Sequence, residues 1–287
     1  MKKLDTLVKD IYSLFDGQID SNLDEKELDK QLETLTTNIK NNLRSFFKEQ
    51  PRKKRNLRLS SIGKPARQLW YDRNSSEEPI PLEPTTRIKF LYGHILEDLL
   101  IFLCRIAGHT VTEEQKEVSV EGIKGHQDCF IDGVLTDCKS SSGRSFKKFS
   151  DDTLHMDDPF GYIGQISAYA KGNNVDEAAF LAIDKQHGNI ALKRVHILEM
   201  IDAEERIKYL KETLDRNTPP NRCYQDIPDG ASGNRKLAIG CVFCPHKKLC
   251  WADCNEGKGL RVFNYENGKR FLTNVSRIPK VEEVTKW

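Results

Sequence analysis

Two acids and a lysine crowd into the run GHQDCFIDGVLTDCKSSS, from Gly125 to Ser142. Ile123 to Phe130 is predicted as one strand, Asp132-Gly133 as a tight turn and Val134 to Ser140 as the returning strand, which sets Asp128 and Asp137 facing each other across a hairpin. Side chains alternate along a strand, so Asp137 and Lys139, two apart, project from the same face. Hard carboxylate oxygens suit Mg²⁺ or Mn²⁺, and an ion held in this way can activate a water for attack on a phosphodiester. A lysine beside it can orient that water or neutralise charge developing on the phosphate. Taken alone the Asp-x-Lys triplet is unspecific. Asp24-Glu25-Lys26 repeats it on a helical segment, where it is given no function, and turn-flanking acids on a solvated hairpin have the same pattern.

A second concentration of chemistry lies near the C-terminus. Of eight cysteines, four stand between Cys241 and Cys254, a spacing that points to a bound metal rather than to the disulfide framework of a small secreted protein. Thiolates suit both zinc and iron–sulfur centres, so ligand type alone does not choose between them. Cys104, Cys129 and Cys138 fall at core or strand positions.

The chain has 287 residues, 38% of them hydrophobic, enough for one large domain or two small ones with a proper core. No apolar run approaches the ~20 residues that span a bilayer, and MKKLDTLVKD lacks the apolar core of a signal peptide, so no membrane partner and an intracellular, cytoplasmic location are expected. With 45 Lys and Arg against 43 Asp and Glu, affinity for a polyanion must come from local patches. Arg52, Lys53, Lys54 and Arg55 form one such patch, readable as a phosphate-contacting run or as a solvated charged linker.

The elements that must position these groups follow from periodicity. Leu4, Leu7, Ile11 and Leu14, then Leu28, Leu32, Leu35 and Ile39, predict two or three helices before residue 50. Leu59 to Tyr71 opens with Ser and Gly and continues as a short helix carrying Arg67, placed to grip a phosphate, and Trp70. A loop over 75 to 85 leads to a helix from Thr86 to Ala107, with Leu91, Ile95, Leu99, Leu103 and Ile106 as its apolar stripe and Gly108 as its stop. Gly93 and Glu97 share a face one turn apart, with His94 nearby; a glycine inside a helix costs about 1 kcal/mol against alanine, which implies a close approach there. Ser141 to Asp158 reads as a polar loop, and Pro159 to Lys171 as a helix presenting Gln165 and Tyr169 on one face. Ala178 to Ile183 and Ile190 to Ile197 are paired strands, Asp202-x-x-Glu205 is a capping box opening a helix to about Asn217, and Gly259 to Val275 is a hairpin around Glu266-Asn267-Gly268.

This order of elements, with these residues on it, resembles the PD-(D/E)XK nuclease superfamily, in its RecB-type, CRISPR-associated and phage exonuclease branch. The resemblance covers roughly Leu59 to Trp251 and rests on Ser60 to Arg67, Gly93-x-x-x-Glu97, Gly125-x-x-Asp128, Asp137-x-Lys139 and Gln165-x-x-x-Tyr169. It implies an α/β restriction-endonuclease-like core, a central mixed sheet flanked by helices, over residues 58–217, behind a helical N-terminal region with its basic linker (1–57) and before a cysteine-cluster segment and hairpin (218–287). It further implies a Mg²⁺- or Mn²⁺-dependent DNA exonuclease acting on single strands or duplex ends in phage or bacterial recombination or DNA processing. Glu97, Asp128 and Asp137 would ligate the ion with the Cys138 carbonyl, Lys139 would serve the attacking water, and Gln165 with Tyr169 would position the strand.

Cys241-x-x-Cys244-x5-Cys250 matches the cysteine triplet with which cluster-bearing members of that branch hold a 4Fe-4S cluster. Leu59 to Tyr71, where such relatives often carry the fourth ligand, holds no cysteine, which leaves Cys223 or, as the alternative, Cys254. A compact zinc site is the competing expectation. The rival function is a non-catalytic nucleic-acid-binding protein with a zinc-knuckle-like module; a complete acidic triad with Lys139 favours the enzyme, because a binder has no need of one.

Overall fold

Leu4, Leu7 and Ile11 recur at helical spacing and are buried together, and the computed structural model places the last two on a short helix, α1 (Leu7–Ser13). The structure describes residues 2–16, 24–48, 56–77, 80, 83–141, 143–285 and 287; the basic run Arg52 to Arg55 lies outside them. The chain forms two compact units, Met1–Gly63 with Glu83–Tyr209, and Lys64–Leu82 with Leu210–Trp287.

The second helix, α2 (Glu25–Lys48), buries none of its residues fully: Leu28, Leu35 and Ile39 are half-buried and Leu32 is exposed. Next along the chain come α3 (Ala66–Asn74) and the long α4 (Pro84–Ile106). Pro84 suits the first position of α4, where its missing N–H has no partner to lose, and Gly108 (φ +78°) stands just past its end. The predicted stripe from Leu91 to Ile106 is only half-buried; the fully buried residues are Gly93, Leu100 and Cys104. Leu100 and Cys104 join the core beneath α4, and α2 packs along the same helix, with Asn42 Nδ2 donating to Asp98 Oδ2 at 2.7 Å. A helix with neighbours on two sides is apolar over more of its circumference than one stripe describes.

The single strand expected from Ile123 to Phe130 is two. After the short β1 (Val111–Thr112), β2 (Glu117–Val120) and β3 (Ile123–His126) pair as a separate hairpin, whereas β4 (Cys129–Ile131) pairs with β5 (Val134–Ser141). The chain changes sheets at Gln127 and Asp128. Gln127 is fully buried and satisfied on every side: its N–H donates to Lys116 O at 3.2 Å, its Nε2 to Glu113 O at 3.2 Å, and its Oε1 accepts from Asn173 Nδ2 at 2.6 Å. Between β4 and β5, Asp132 and Gly133 take φ +49° and +84°, the positive values that a two-residue hairpin of this twist requires at both positions.

The predicted loop over Ser141 to Asp158 instead contains a helix, α5 (Arg144–Ser150), and a 3-10 turn at Leu154–Met156. Phe146, Phe149 and Leu154 are buried, which anchors a stretch whose overall composition is polar. Then follow α6 (Tyr162–Asn173), β6 (Glu177–Asp184), β7 (Ile190–His196) and α7 (Ala203–Leu214). Asp158 caps α6, its two oxygens accepting from the N–H groups of Tyr162 at 2.9 Å and Ile163 at 2.8 Å. Asp202 caps α7, accepting from Glu205 N–H at 3.0 Å as the capping motif predicts, and α7 ends at Leu214, short of Asn217.

The main sheet has the order β1-β4-β5-β6-β7, with β5 and β6 parallel and the other pairs antiparallel. β5 and β6 are nearly buried throughout, which is why EAAFLAID reads as an almost continuous apolar run rather than as an alternation. This is the expected mixed α/β architecture, a central mixed sheet flanked by helices. The second unit has its own antiparallel sheet of β8 (Ile227–Pro228), β9 (Arg235–Lys236), β10 (Arg261–Tyr265) and β11 (Gly268–Asn274), in the order β10-β11-β9-β8. Its core gathers Leu237, Trp251, Leu260, Val262 and Phe271, and the predicted C-terminal hairpin is β10 and β11. No helix among the described residues is long and apolar enough to cross a membrane.

Candidate active site

β5 carries Asp137 and Lys139 into the middle of the sheet on the same face, and their side chains form an ion pair. The pairing Cys129↔Thr136, extended by one position, sets Asp128 opposite Asp137, as the hairpin predicts. Asp128 keeps part of its surface toward solvent and accepts from the Cys138 N–H at 2.8 Å through Oδ2. Asp137 is buried; its Oδ1 accepts from Gln165 Nε2 at 2.8 Å, while its Oδ2 faces the Lys139 ammonium without a well-aligned hydrogen bond.

The electrostatics follow from two acids sharing one enclosed place. Burial first, and then the charge of Asp137, push the Asp128 carboxyl up to about 7. Asp137 is also raised by burial, against the opposing pull of Lys139. Burial works against the charged form of Lys139, but Asp137 and Asp128 outweigh it and hold the ammonium charged. The Lys139 ammonium also lies 5.3 Å from the centre of the Tyr162 ring.

Glu97 comes from α4, held close to the sheet by Gly93: a Cβ there would stand 3.0 Å from Ser140 Oγ on β5. This is the close approach that the helix-interior glycine predicts. Glu97 is about one-third exposed, lies 3.5 Å from His94 Nδ1, and is near enough for its charge to bear on Asp128, Asp137 and Lys139. The His94 imidazole is raised by its hydrogen bond to Glu97. Glu97, Asp128, Asp137, Lys139 and Gln165 are thus neighbours, supplied by two helices and the β4–β5 pair.

Tyr169 lies one turn beyond Gln165 on α6 and is buried, with its hydroxyl hydrogen-bonded to Ser60 and its phenol pushed up by burial. A Cβ on Gly125 would come within 2.8 Å of Leu59 Cβ and 2.9 Å of the Tyr169 hydroxyl, so the glycine of the Gly125-x-x-Asp128 pattern is the space that lets β3, the Leu59–Ser61 turn and α6 meet. Tyr162 and Gln127 were not singled out in the sequence. Tyr162 stands three residues before Gln165 on the same helix face, a spacing that was available to find it; Gln127, buried behind Asp128, carried no such signal.

Among the described residues, the carboxylate and imidazole atoms that gather in a group of three within 4.8 Å of one another are those of Asp152, His155 and Glu199 rather than of Glu97, Asp128 and Asp137. Lys193 pairs with Asp152 at 2.5 Å and with Glu199 at 2.6 Å, so a cation of the chain already neutralises that group.

In the second unit, Cys223, Cys241, Cys244 and Cys250 line one small cavity together with Arg67, Tyr71, Arg222 and Tyr224, and Cys254 is not among its lining residues. Burial pushes the thiol of Cys241 up to about 11 and that of Cys244 up to about 12. Arg67 turns its guanidinium to this cavity: Nε donates to Cys250 Sγ at 3.1 Å, Nη2 to the Tyr71 hydroxyl at 3.4 Å, and Nη1 to Pro220 O. Trp70 Nε1 donates to Arg216 O at 2.8 Å.

No protein-family profile and no curated protein matches the chain. Among solved structures it is similar to SSO0001, at 17% identity over 76% of this chain and 95% of that one, with a TM-score of 0.42. It is similar also to a phage-related exonuclease from Haemophilus somnus 129PT, at 17% identity over 56% of this chain and 91% of that one (TM-score 0.37). An alkaline exonuclease from Laribacter hongkongensis is similar at 14% identity over 54% and 89% of the respective chains (TM-score 0.30).

Proposed function

We propose that this chain is a Mg²⁺- or Mn²⁺-dependent nuclease that hydrolyses DNA phosphodiester bonds. The observation that carries this reading is the placing of Asp128 opposite Asp137 across β4 and β5 with Lys139 paired to Asp137, both carboxyls raised by a shared enclosed site. Two raised acids in one enclosed place suit a small divalent cation, since such an ion favours the ionised carboxylates that burial disfavours.

Glu97, Asp128 and Asp137 would hold the ion with the Cys138 carbonyl, and its chemistry there is to lower the pKa of a bound water and to oppose charge on the phosphate oxygens. Gln165 fixes the rotation of the Asp137 carboxylate through Oδ1. Lys139, kept charged and set against the Tyr162 ring, orients the attacking water or faces the negative charge that grows on the phosphate. Tyr169 braces Ser60 and, through Gly125, the strand that leads to Asp128. Exonucleolytic action on single strands or duplex ends, in phage or bacterial recombination or DNA processing, is the finer reading that the family resemblance carries.

In the second unit the same proposal gives Cys223, Cys241, Cys244 and Cys250 a 4Fe-4S cluster, supported by the one cavity that these four thiols line. Its role there is structural, since binding free energy at such a site becomes folding free energy.

End-labelled single- and double-stranded DNA, beside a closed circle, incubated with purified protein in Mg²⁺, Mn²⁺ or EDTA tests the activity. Stepwise shortening of linear DNA in either metal and an intact circle are expected. Binding without cleavage in both metals would instead identify the non-catalytic nucleic-acid-binding rival.

A further inference from the structure

Beside the proposed catalytic groups stands a lysine that they do not use. Lys185 directly follows β6, and its N–H donates to Ser141 O at 2.7 Å, at the end of the strand that carries Asp137 and Lys139. Its ammonium lies 5.3 Å from the centre of the Tyr92 ring on α4. Glu97 and Lys89 are both near enough for their charges to bear on Lys185.

What sets Lys185 apart is its lack of a counter-ion. Three other lysines that are buried or partly buried do have one: Lys139 pairs with Asp137, Lys193 with Asp152 and Glu199, and Lys236 with Asp229. No described carboxylate lies within ion-pair distance of Lys185, although it is half-buried, and burial with the neighbouring Lys89 charge lowers its pKa. A cation held out of water without an acid partner is costly, and an arriving anion removes that cost. An aromatic face attracts the ammonium and fixes its direction without neutralising it.

We propose that Lys185, held over Tyr92 and flanked by Lys89, binds a backbone phosphate of the substrate strand a short distance along from the bond that is cut. Lys89, Gly93 and Glu97 recur every four residues along one face of α4, so Lys89 stands about 12 Å along the helix axis from Glu97. A strand running beside the helix covers that distance in a few nucleotides, each carrying one phosphate charge. Lys185 and Lys89 therefore mark a path on which the strand is gripped while the bond near Glu97 is hydrolysed. This inference rests on the nuclease reading and adds the residue that registers the substrate.

The test is equilibrium binding of a fluorescein-labelled single-stranded oligonucleotide to the full chain in EDTA, followed by anisotropy across a salt series. Wild type, Lys185→Gln and Lys185→Arg are compared, and wild type is assayed in parallel for cleavage of the same oligonucleotide in Mg²⁺ and Mn²⁺. Removal of one phosphate contact lowers the slope of log affinity against log salt by about 0.7 for single strands, so Lys185→Gln should bind more weakly at low salt with a slope shallower by about that amount. Lys185→Arg should restore the slope. Wild type that binds and cleaves, with the same slope in Lys185→Gln, overturns this inference alone, and so does an arginine variant as impaired as the glutamine one. Wild type that neither binds nor cleaves overturns the nuclease reading and this inference with it.

Discussion

Replacing Asp128 with asparagine should make the metal-free protein more resistant to heat at pH 8, relative to wild type, than it is at pH 5. The reason is the cost of ionising Asp128 opposite Asp137. Its carboxyl is raised from 3.8 to about 7, roughly three units, and at 1.36 kcal/mol per unit this is at most about 4 kcal/mol, less whatever its contact with solvent relieves. A carboxyl raised in the folded state binds its proton more tightly there than in the unfolded chain. The stability so contributed is complete below about pH 4, declines as pH rises through about 7, and stays lost above it. Asparagine can still accept from the Cys138 N–H but has no proton to lose, so its penalty does not vary with pH. Roughly two of those units, at most about 2.6 kcal/mol, are lost between pH 5 and pH 8, and for a domain of this size each kcal/mol is worth about 2–4 °C, so the variant should gain at most about 5–10 °C on wild type across that range. Calorimetric melts in EDTA at pH 5, 6, 7 and 8 read that difference directly. Mg²⁺ should then raise the wild-type melting temperature more at pH 8 than at pH 5, and have little effect on Asp128→Asn. A difference between wild type and variant that is flat across pH would refute the claim that the two carboxyls share an enclosed site.

Asp137→Ala and Lys139→Ala should each reduce cleavage of end-labelled DNA to background in Mg²⁺ and Mn²⁺, and full cleavage by either variant would sink the assignment. The two should differ in stability: Lys139→Ala leaves Asp128 and Asp137 opposed without the ammonium, for which removal of one partner of a buried pair suggests about 3–5 kcal/mol, read as a lower denaturation midpoint in EDTA. Gly93→Val adds atoms where a Cβ already stands 3.0 Å from Ser140 Oγ, so a loss of about 1–3 kcal/mol is expected, with partial recovery in a Gly93→Val, Ser140→Gly double variant; no recovery would place the strain elsewhere. Protein purified without oxygen should be brown and Cys241→Ala colourless and less stable, whereas a colourless wild type carrying one zinc would overturn the iron–sulfur proposal.

Much of the first unit was legible because its local signals agree with its tertiary contacts. Asp132-Gly133 specifies a turn by backbone conformation, Asp202-x-x-Glu205 specifies a helix start by capping, and β6 announces burial on both faces by its apolar run. The errors fall where a neighbour distant in sequence decides. Residues 123 to 130 have unbroken strand character, and only the buried contacts of Gln127 with Glu113 and Asn173 break them into strands of two different sheets. The stretch from Ser141 to Asp158 is polar in sum, yet Phe146, Phe149 and Leu154 tie it down as a helix and a turn. Composition averages over just the few residues that matter in such a segment.

The site divides along the same line. Spacing alone pairs Asp137 with Lys139 and sets Asp128 across from them, because strand geometry is regular over so short a distance. The same reasoning could say that Gly93 is a contact point but not that Ser140 is what it meets. Arg67 illustrates the other limit: a cation beside a Ser-rich turn reads as a phosphate ligand, and the structure turns its guanidinium to Cys250, Tyr71 and Pro220. Lys185 is the converse, an ordinary lysine after a strand until the structure puts an aromatic ring beneath it, an acid within electrostatic reach and no carboxylate against it. A charged residue's role is therefore set less by its own type than by which of its partners the fold withholds. Arg67 has its donors occupied within the chain, and Lys185 keeps a charge that none of the described acids pairs with.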